Sequence, residues 1–153
     1  MNKSMSNKLE VSLEIITHST ENEKRILESI CEIFDLKETE FSQRKLSGHF
    51  ENPISLFNAK FVKKKASNFV ERLVERIPKY QMGELIDNIE EHCDGSALFL
   101  RISKQDILKK SIILQEKNAI KVKISIPIYK KNELIKTYVD LMLPKRKIST
   151  KTR

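Results

Sequence analysis

Residues 120–128 read Ile-Lys-Val-Lys-Ile-Ser-Ile-Pro-Ile. Ile120, Val122, Ile124 and Ile126 alternate with Lys121, Lys123 and Ser125, the period-two pattern of a strand with one buried and one wet face. Pro127 has no amide proton for a ladder, so this strand runs along a sheet edge or ends nearby. Its apolar face needs a covering layer. Leu134, Ile135, Tyr138 and Met142, at helical spacing within residues 132–143, provide one.

The same two patterns recur upstream. Leu9, Val11, Leu13 and Ile15 alternate with Glu10, Ser12 and Glu14, and Phe57, Ala59 and Phe61 alternate with Asn58 and Lys60. Leu98, Leu100 and Ile102 point inward from a strand over 97–102, and 39–47 is a weaker strand ending at Gly48. Thr20 and Glu23 form a capping box for a helix whose stripe is Ile26, Leu27, Ile30, Cys31 and Phe34. Ala66, Phe69, Val70, Leu73, Val74 and Ile77 make a second stripe, stopped by Pro78. Met82, Leu85, Ile86, Ile89 and Cys93 make a third, stopped at Asp94-Gly95, and a short helix or turn covers 104–109. Strands and helices mix without strict βαβ alternation. The expected class is therefore α+β, an antiparallel (mixed) sheet with helices packed on one face. Residues 9–143 form the expected single domain, between a flexible N-terminus (1–8) and a basic, disordered tail (144–153). Cys31 and Cys93 fall on helical stripes and are expected as packed thiols.

No apolar run reaches the roughly 20 residues needed to cross a bilayer. The first eight residues also lack the apolar core of a signal peptide, so the expected location is the cytoplasm. The formal charge of +8 is mostly terminal. Lys145, Arg146, Lys147, Lys151 and Arg153 contribute five, and Lys3 and Lys8 two. The remainder is nearly neutral but segregated: residues 9–51 carry −5, 52–83 carry +5, 84–94 carry −5 and 95–143 carry +6. A polyanion responds to such local surfaces more than to a total.

Catalytic and cofactor chemistry find no footing. Gly48, Gly83 and Gly95 lie far apart, whereas a phosphate-cradling loop needs clustered glycines. His18, His49 and His92 are also scattered, and the neighbours His92 and Cys93 would diverge on a helix. No nucleophile, base and orienting group assemble. The expectation is a non-enzyme without metal or cofactor.

Cations, by contrast, recur at suggestive places. Lys63-Lys64-Lys65 stand where a helix begins, against the helix dipole, and a bound phosphate would remove the conflict. Lys60, Arg101, Lys121 and Lys123 lie on the outward faces of strands. Should helices cover only the inner face, these residues form a basic sheet surface, depending on strand order. Lys104 and Gln105 follow the Arg101 strand, and Lys130 precedes the last helix. Lys145, Arg146 and Lys147 in the tail add salt-sensitive attraction to phosphates. Trp is absent and aromatics are few, which favours recognition by backbone and shape over base stacking.

Three stretches carry a family likeness: His18-Ser19-Thr20-Glu21-Asn22-Glu23; Gly48-His49-Phe50-Glu51-Asn52-Pro53-Ile54, with the strand into Lys63-Lys64; and Leu100-Arg101-Ile102-Ser103-Lys104-Gln105, with Ile120-Lys121-Val122-Lys123-Ile124 later. In order and spacing over about residues 9–142 they resemble the archaeal RNA-binding proteins described as predicted exosome subunits. The fold of that family is like that of the large-subunit ribosomal protein that binds 5S rRNA. The middle motif is the most specific, and it presents His49 and Asn52 as exposed hydrogen-bonding groups in a turn. The chain departs from the family in having Lys109-Lys110-Ser111 where a glycine follows the Lys-Gln segment. The resemblance implies binding of structured RNA of the rRNA or tRNA class, a link to RNA processing or ribosome biogenesis with exosome or ribosome-related proteins as partners, a homodimer, and no catalysis or cofactor. The competing reading is a dimeric assembly or adaptor protein with protein partners and incidental RNA affinity.

Overall fold

The alternating stretches become strands of one antiparallel sheet in the computed structural model, which describes residues 8–18, 21–47, 53–128 and 130–143. The strands are β1 (Glu10–His18), β2 (Ser42–Ser47), β3 (Pro53–Val62), β4 (Cys93–Asp94), β5 (Ala97–Ser103) and β6 (Ala119–Ser125), in the spatial order β2-β3-β1-β6-β5-β4. Every pairing is antiparallel. The helices are α1 (Glu23–Phe34), α2 (Lys63–Arg76), α3 (Lys79–Asp87), α4 (Lys104–Leu108) and α5 (Lys131–Met142). The expected α+β class, with helices on one face of the sheet, is what the chain adopts.

Burial follows the alternation. Val11, Leu13 and Ile15, Phe57 and Phe61, Leu98 and Leu100, and Val122 and Ile124 point to the helices and are buried. They meet Ile26 and Ile30 of α1, Phe69 and Leu73 of α2, Leu85 of α3 and Tyr138 of α5 in one continuous core. The Phe69 ring stacks on Phe34 at 4.1 Å between centroids and on Phe61 at 6.2 Å, tying both helices to β3. Each such fully buried side chain is worth about 1.5–3 kcal/mol. Tyr138 keeps its hydroxyl in contact with the Ser96 and Ile124 carbonyls, at 2.6 and 3.0 Å.

Strand β6 ends at Ser125, just short of Pro127, so the second of the two alternatives for that proline holds, and the strand lies in the middle of the sheet. Two other places differ from the sequence reading. The cap of α1 is Asn22, whose side chain accepts from the Arg25 amide at 3.2 Å. Glu23 therefore opens the helix, and Thr20 lies outside the described residues. The third stripe is not one helix up to Asp94: the α-helix ends at Asp87, Ile89–His92 form a 3-10 turn, and Gly95, at φ +62°, makes a tight turn that pairs Cys93 and Asp94 with Leu98 and Ala97. Cys93 is thus a strand residue, half-buried like the helical Cys31. Burial, with Glu38 and Glu40, pushes the Cys31 thiol up to about 11. The turn after the Lys104-Gln105 segment is made by Lys110 at φ +63°. Its ammonium is held by the Ser29 hydroxyl at 2.9 Å and by Glu32 at 3.1 Å.

Residues 113–115 flank the outer edge of β5. The Ser103 amide donates to the Ile113 carbonyl at 2.8 Å, and the Gln115 amide to the Arg101 carbonyl at 3.0 Å. Gln81 of α3 clamps this segment, bonding the Leu114 amide at 2.8 Å and its carbonyl at 3.0 Å.

Candidate nucleic-acid interface

The face of the sheet away from the helices is where the outward strand residues meet. Directly paired residues share a face, so the registers define rows across it. One row runs Lys60–Ser12–Lys123–Phe99 over β3, β1, β6 and β5. The next runs Ser42–Asn58–Glu14–Lys121–Arg101 over β2, β3, β1, β6 and β5. The strand order thus brings Lys60, Arg101, Lys121 and Lys123 onto one exposed surface. Strands about 4.8 Å apart spread these cations over roughly 15 Å.

β1 threads acid through this patch. Glu10 lies 3.4 Å from Lys60, and Glu14 lies 3.4 Å from Lys121. Such exposed pairs are worth at most about 1 kcal/mol, so a phosphate can take either cation. Lys123 has no carboxylate within 4 Å among the described residues; its ammonium stands over the Phe99 ring, 5.8 Å from the centroid. The Arg101 guanidinium donates to the Glu116 carbonyl at 3.1 Å. Arg44 of β2, opposite Leu56, adds a cation that sequence reading missed. Its alternation is masked on an edge strand exposed on both sides. The interleaved Glu10 and Glu14 were missed as well, since only strand order reveals them.

At the end of the sheet where β3 finishes beside the start of β1, Lys63 and Lys64 are exposed. The Lys63 amide donates to the Leu9 carbonyl at 3.2 Å, and Lys63 itself sits at φ +54°, in the left-handed region. Lys65 instead pairs with Glu40. That ammonium holds the Glu40 carboxyl below its ordinary range against the opposing effect of burial, and the Lys37 amide adds to the lowering.

Lys104 does not belong to the surface, a correction to the sequence reading. Only 3% exposed, it donates to the Ile16 carbonyl at 2.7 Å and to Glu21 Oε1 at 2.9 Å. Burial raises the Glu21 pKa, but the His18 amide at 2.8 Å and the Lys104 ammonium outweigh it, and the carboxyl titrates below its usual range. Lys104 is an internal brace between two of the family-like stretches. Its sequence looks like a surface lysine because nothing local announces the distant Glu21. Gln105 and Lys130 are exposed, one in α4 and one just before α5. His49, Asn52, Lys145, Arg146 and Lys147 lie outside the described residues. Among the described residues no group of three or more His, Cys, Asp or Glu is placed to hold a metal, and no helix is long and apolar enough to cross a membrane.

Comparison with known proteins agrees with this architecture. A family model described as RNA binding matches residues 10–126. No curated protein matches the chain. A crystal structure from Archaeglobus fulgidus, assigned to DUF54, is 26% identical, with a TM-score of 0.74 over 86% of this chain and 97% of that one. A DUF54 structure from Sulfolobus solfataricus is 25% identical, with a TM-score of 0.71 over 88% and 99%. A DUF54 protein of Methanothermobacter thermautotrophicus shares the fold at 23% identity, with a TM-score of 0.67 over 88% and 97%.

Proposed function

The chain belongs to the RNA-binding family whose model spans residues 10–126, and from that premise we propose that it grips structured RNA through the open face of its sheet. One observation carries the assignment of the face: the strand order that gathers Lys60, Arg101, Lys121 and Lys123 on a surface that no helix among the described residues covers. The contacts are to phosphates, and the shape of an A-form or folded RNA selects the partner. Lys63 and Lys64 extend the track at one end of the sheet, and Lys65, Gln105, Lys130, His49, Asn52 and the basic tail are its peripheral contacts. Glu10 and Glu14 act as built-in competitors that keep the face from holding every polyanion equally. The role is non-catalytic. Its place in RNA processing or ribosome biogenesis, beside exosome or ribosomal components, rests on the family resemblance.

The test is binding of a folded RNA against salt. Four cations each meeting a phosphate give a log–log slope of about −3. Removal of residues 144–153 lowers affinity and leaves most of that slope. Complete loss of binding on removing the tail overturns the assignment of the sheet face.

A second reading has its own observation. Beyond the two basic rows the same face is more apolar: Ile16 pairs with Leu56, which has Arg44 on its other side, and Leu46, 44% exposed, pairs with Ile54. This end suits a protein partner or a second copy. A nuclease-resistant complex whose formation is blocked by Leu46→Glu supports that reading.

A further inference from the structure

Beside the basic rows, at the outer edge of β5, lies a cleft of about 540 Å³, within the range of sites that hold small ligands. It opens between β4 and the 114–116 segment, the two pieces of chain that flank β5. Its floor is apolar, made by Leu85, Leu100 and Leu114. Its rim is acidic: Glu84, Glu91, Asp94 and Glu116 line it, and none has a cation within 4 Å among the described residues. Phe99, 39% exposed, stands at the mouth, and Arg101 beside it belongs to both the cleft and the open face.

A phosphate is repelled by such a rim. A flat, uncharged group with hydrogen-bond donors on its edge is not. The cation–π contact couples the two regions: the ammonium of Lys123, one of the cations of the open face, lies over the Phe99 ring of the cleft. A nucleotide whose phosphate sits on Lys123 or Arg101 therefore has its base within reach of Phe99.

We infer that this cleft receives one unpaired base of the bound RNA, stacked at Phe99, with its exocyclic amino group donating to the rim carboxylates. The occupant is a base that carries an exocyclic amino group, so adenine, cytosine and guanine are accepted and uracil is disfavoured. This inference rests on the RNA-binding reading of the open face and adds to it a point of recognition that phosphate contacts cannot supply.

The experiment compares four RNA probes on the full chain by fluorescence anisotropy: a paired duplex, and the same duplex with a single bulged adenosine, a bulged uridine or a bulged abasic site. The expected result is binding of the adenosine bulge about tenfold tighter than the abasic bulge, as stacking of one base provides, with uridine between them. Phe99→Ala brings the adenosine-to-abasic ratio close to one, and Phe99→Tyr, which keeps the ring, restores it. Glu91→Gln, together with Glu84→Gln, narrows the gap between adenosine and uridine. Equal affinities for the adenosine and abasic bulges overturn the inference. So does a Phe99→Ala variant that weakens both alike. Salt-sensitive duplex binding without any bulge preference leaves the sheet-face reading standing and removes only the cleft. Absence of binding to all four probes removes both.

Discussion

Replacing Lys104 by Met keeps the aliphatic stem of a 3% exposed side chain and deletes the ammonium that bonds Glu21 and the Ile16 carbonyl. Removing one partner of a buried pair costs about 3–5 kcal/mol. Glu21 keeps its bond from the His18 amide, and its side chain is 18% exposed, so the low end applies, about 3 kcal/mol. For a chain of this size that is a fall in Tm of roughly 6–12 °C. Urea titration at pH 7 should show a lower midpoint at unchanged m. Lys104→Met with Glu21→Gln should lose less than the two single changes added together, because the pair fails as a unit. The sign with pH follows from the depressed Glu21 pKa. The pair stabilises the fold above the unfolded carboxylate pKa of about 4.3, and that contribution is lost as pH falls through the folded value. The gap between wild type and variant is therefore full at pH 7 and closes in acid. RNA affinity, measured well below the variant's Tm, should not change. A stability loss under 1 kcal/mol, or a fall in RNA affinity at unchanged stability, would refute the brace and return Lys104 to the binding surface.

Glu14→Gln releases Lys121 from its internal competitor and should tighten RNA binding by about two- to fivefold, the worth of an exposed pair. Lys121→Ala should weaken it and reduce the salt slope by about 0.7–0.9, both read by anisotropy across a salt series. Lys63→Gly relieves a left-handed lysine and should raise stability by about 0.5–1 kcal/mol in urea, while RNA affinity falls. Tyr138→Phe leaves the Ser96 and Ile124 carbonyls without the hydroxyl and should cost about 1–2 kcal/mol by thermal melting, with RNA binding intact.

The parts of the fold that were legible in the sequence are those in which one residue's surroundings repeat along the chain. Alternation marked β1, β3, β5 and β6, and helical stripes marked α1, α2 and α5, because a buried face imposes its period on every residue it covers. The break after Asp87 was hidden, since the stripe through Ile89 to Cys93 continues on paper past a chain that Gly95 turns back into a hairpin. The basic face was half legible. Which way Lys60, Arg101, Lys121 and Lys123 point follows from alternation. That they lie on neighbouring strands follows from pairings between residues distant in sequence, which no local pattern carries. Lys104 shows the same limit from the other side, as its partner Glu21 is remote. The Phe99 cleft has contributors from α3, β4, β5 and the 114–116 segment, and no one of these stretches suggests it.

The place of β1 between β3 and β6 sets the order in which the molecule can come together. Glu14 pairs with Lys121, and Glu10 with Ser125, more than one hundred residues along the chain, whereas β1 and β3 are joined through much nearer neighbours. During synthesis β2, β3 and β1 can associate early, but one flank of β1 stays unpaired until β6 has left the ribosome. Such long-range closure is slow, and an open strand edge invites pairing with other chains. A nascent chain stalled before residue 119 should therefore expose β1 to protease and to aggregation. Release of residues 119–125 should protect it in a single step.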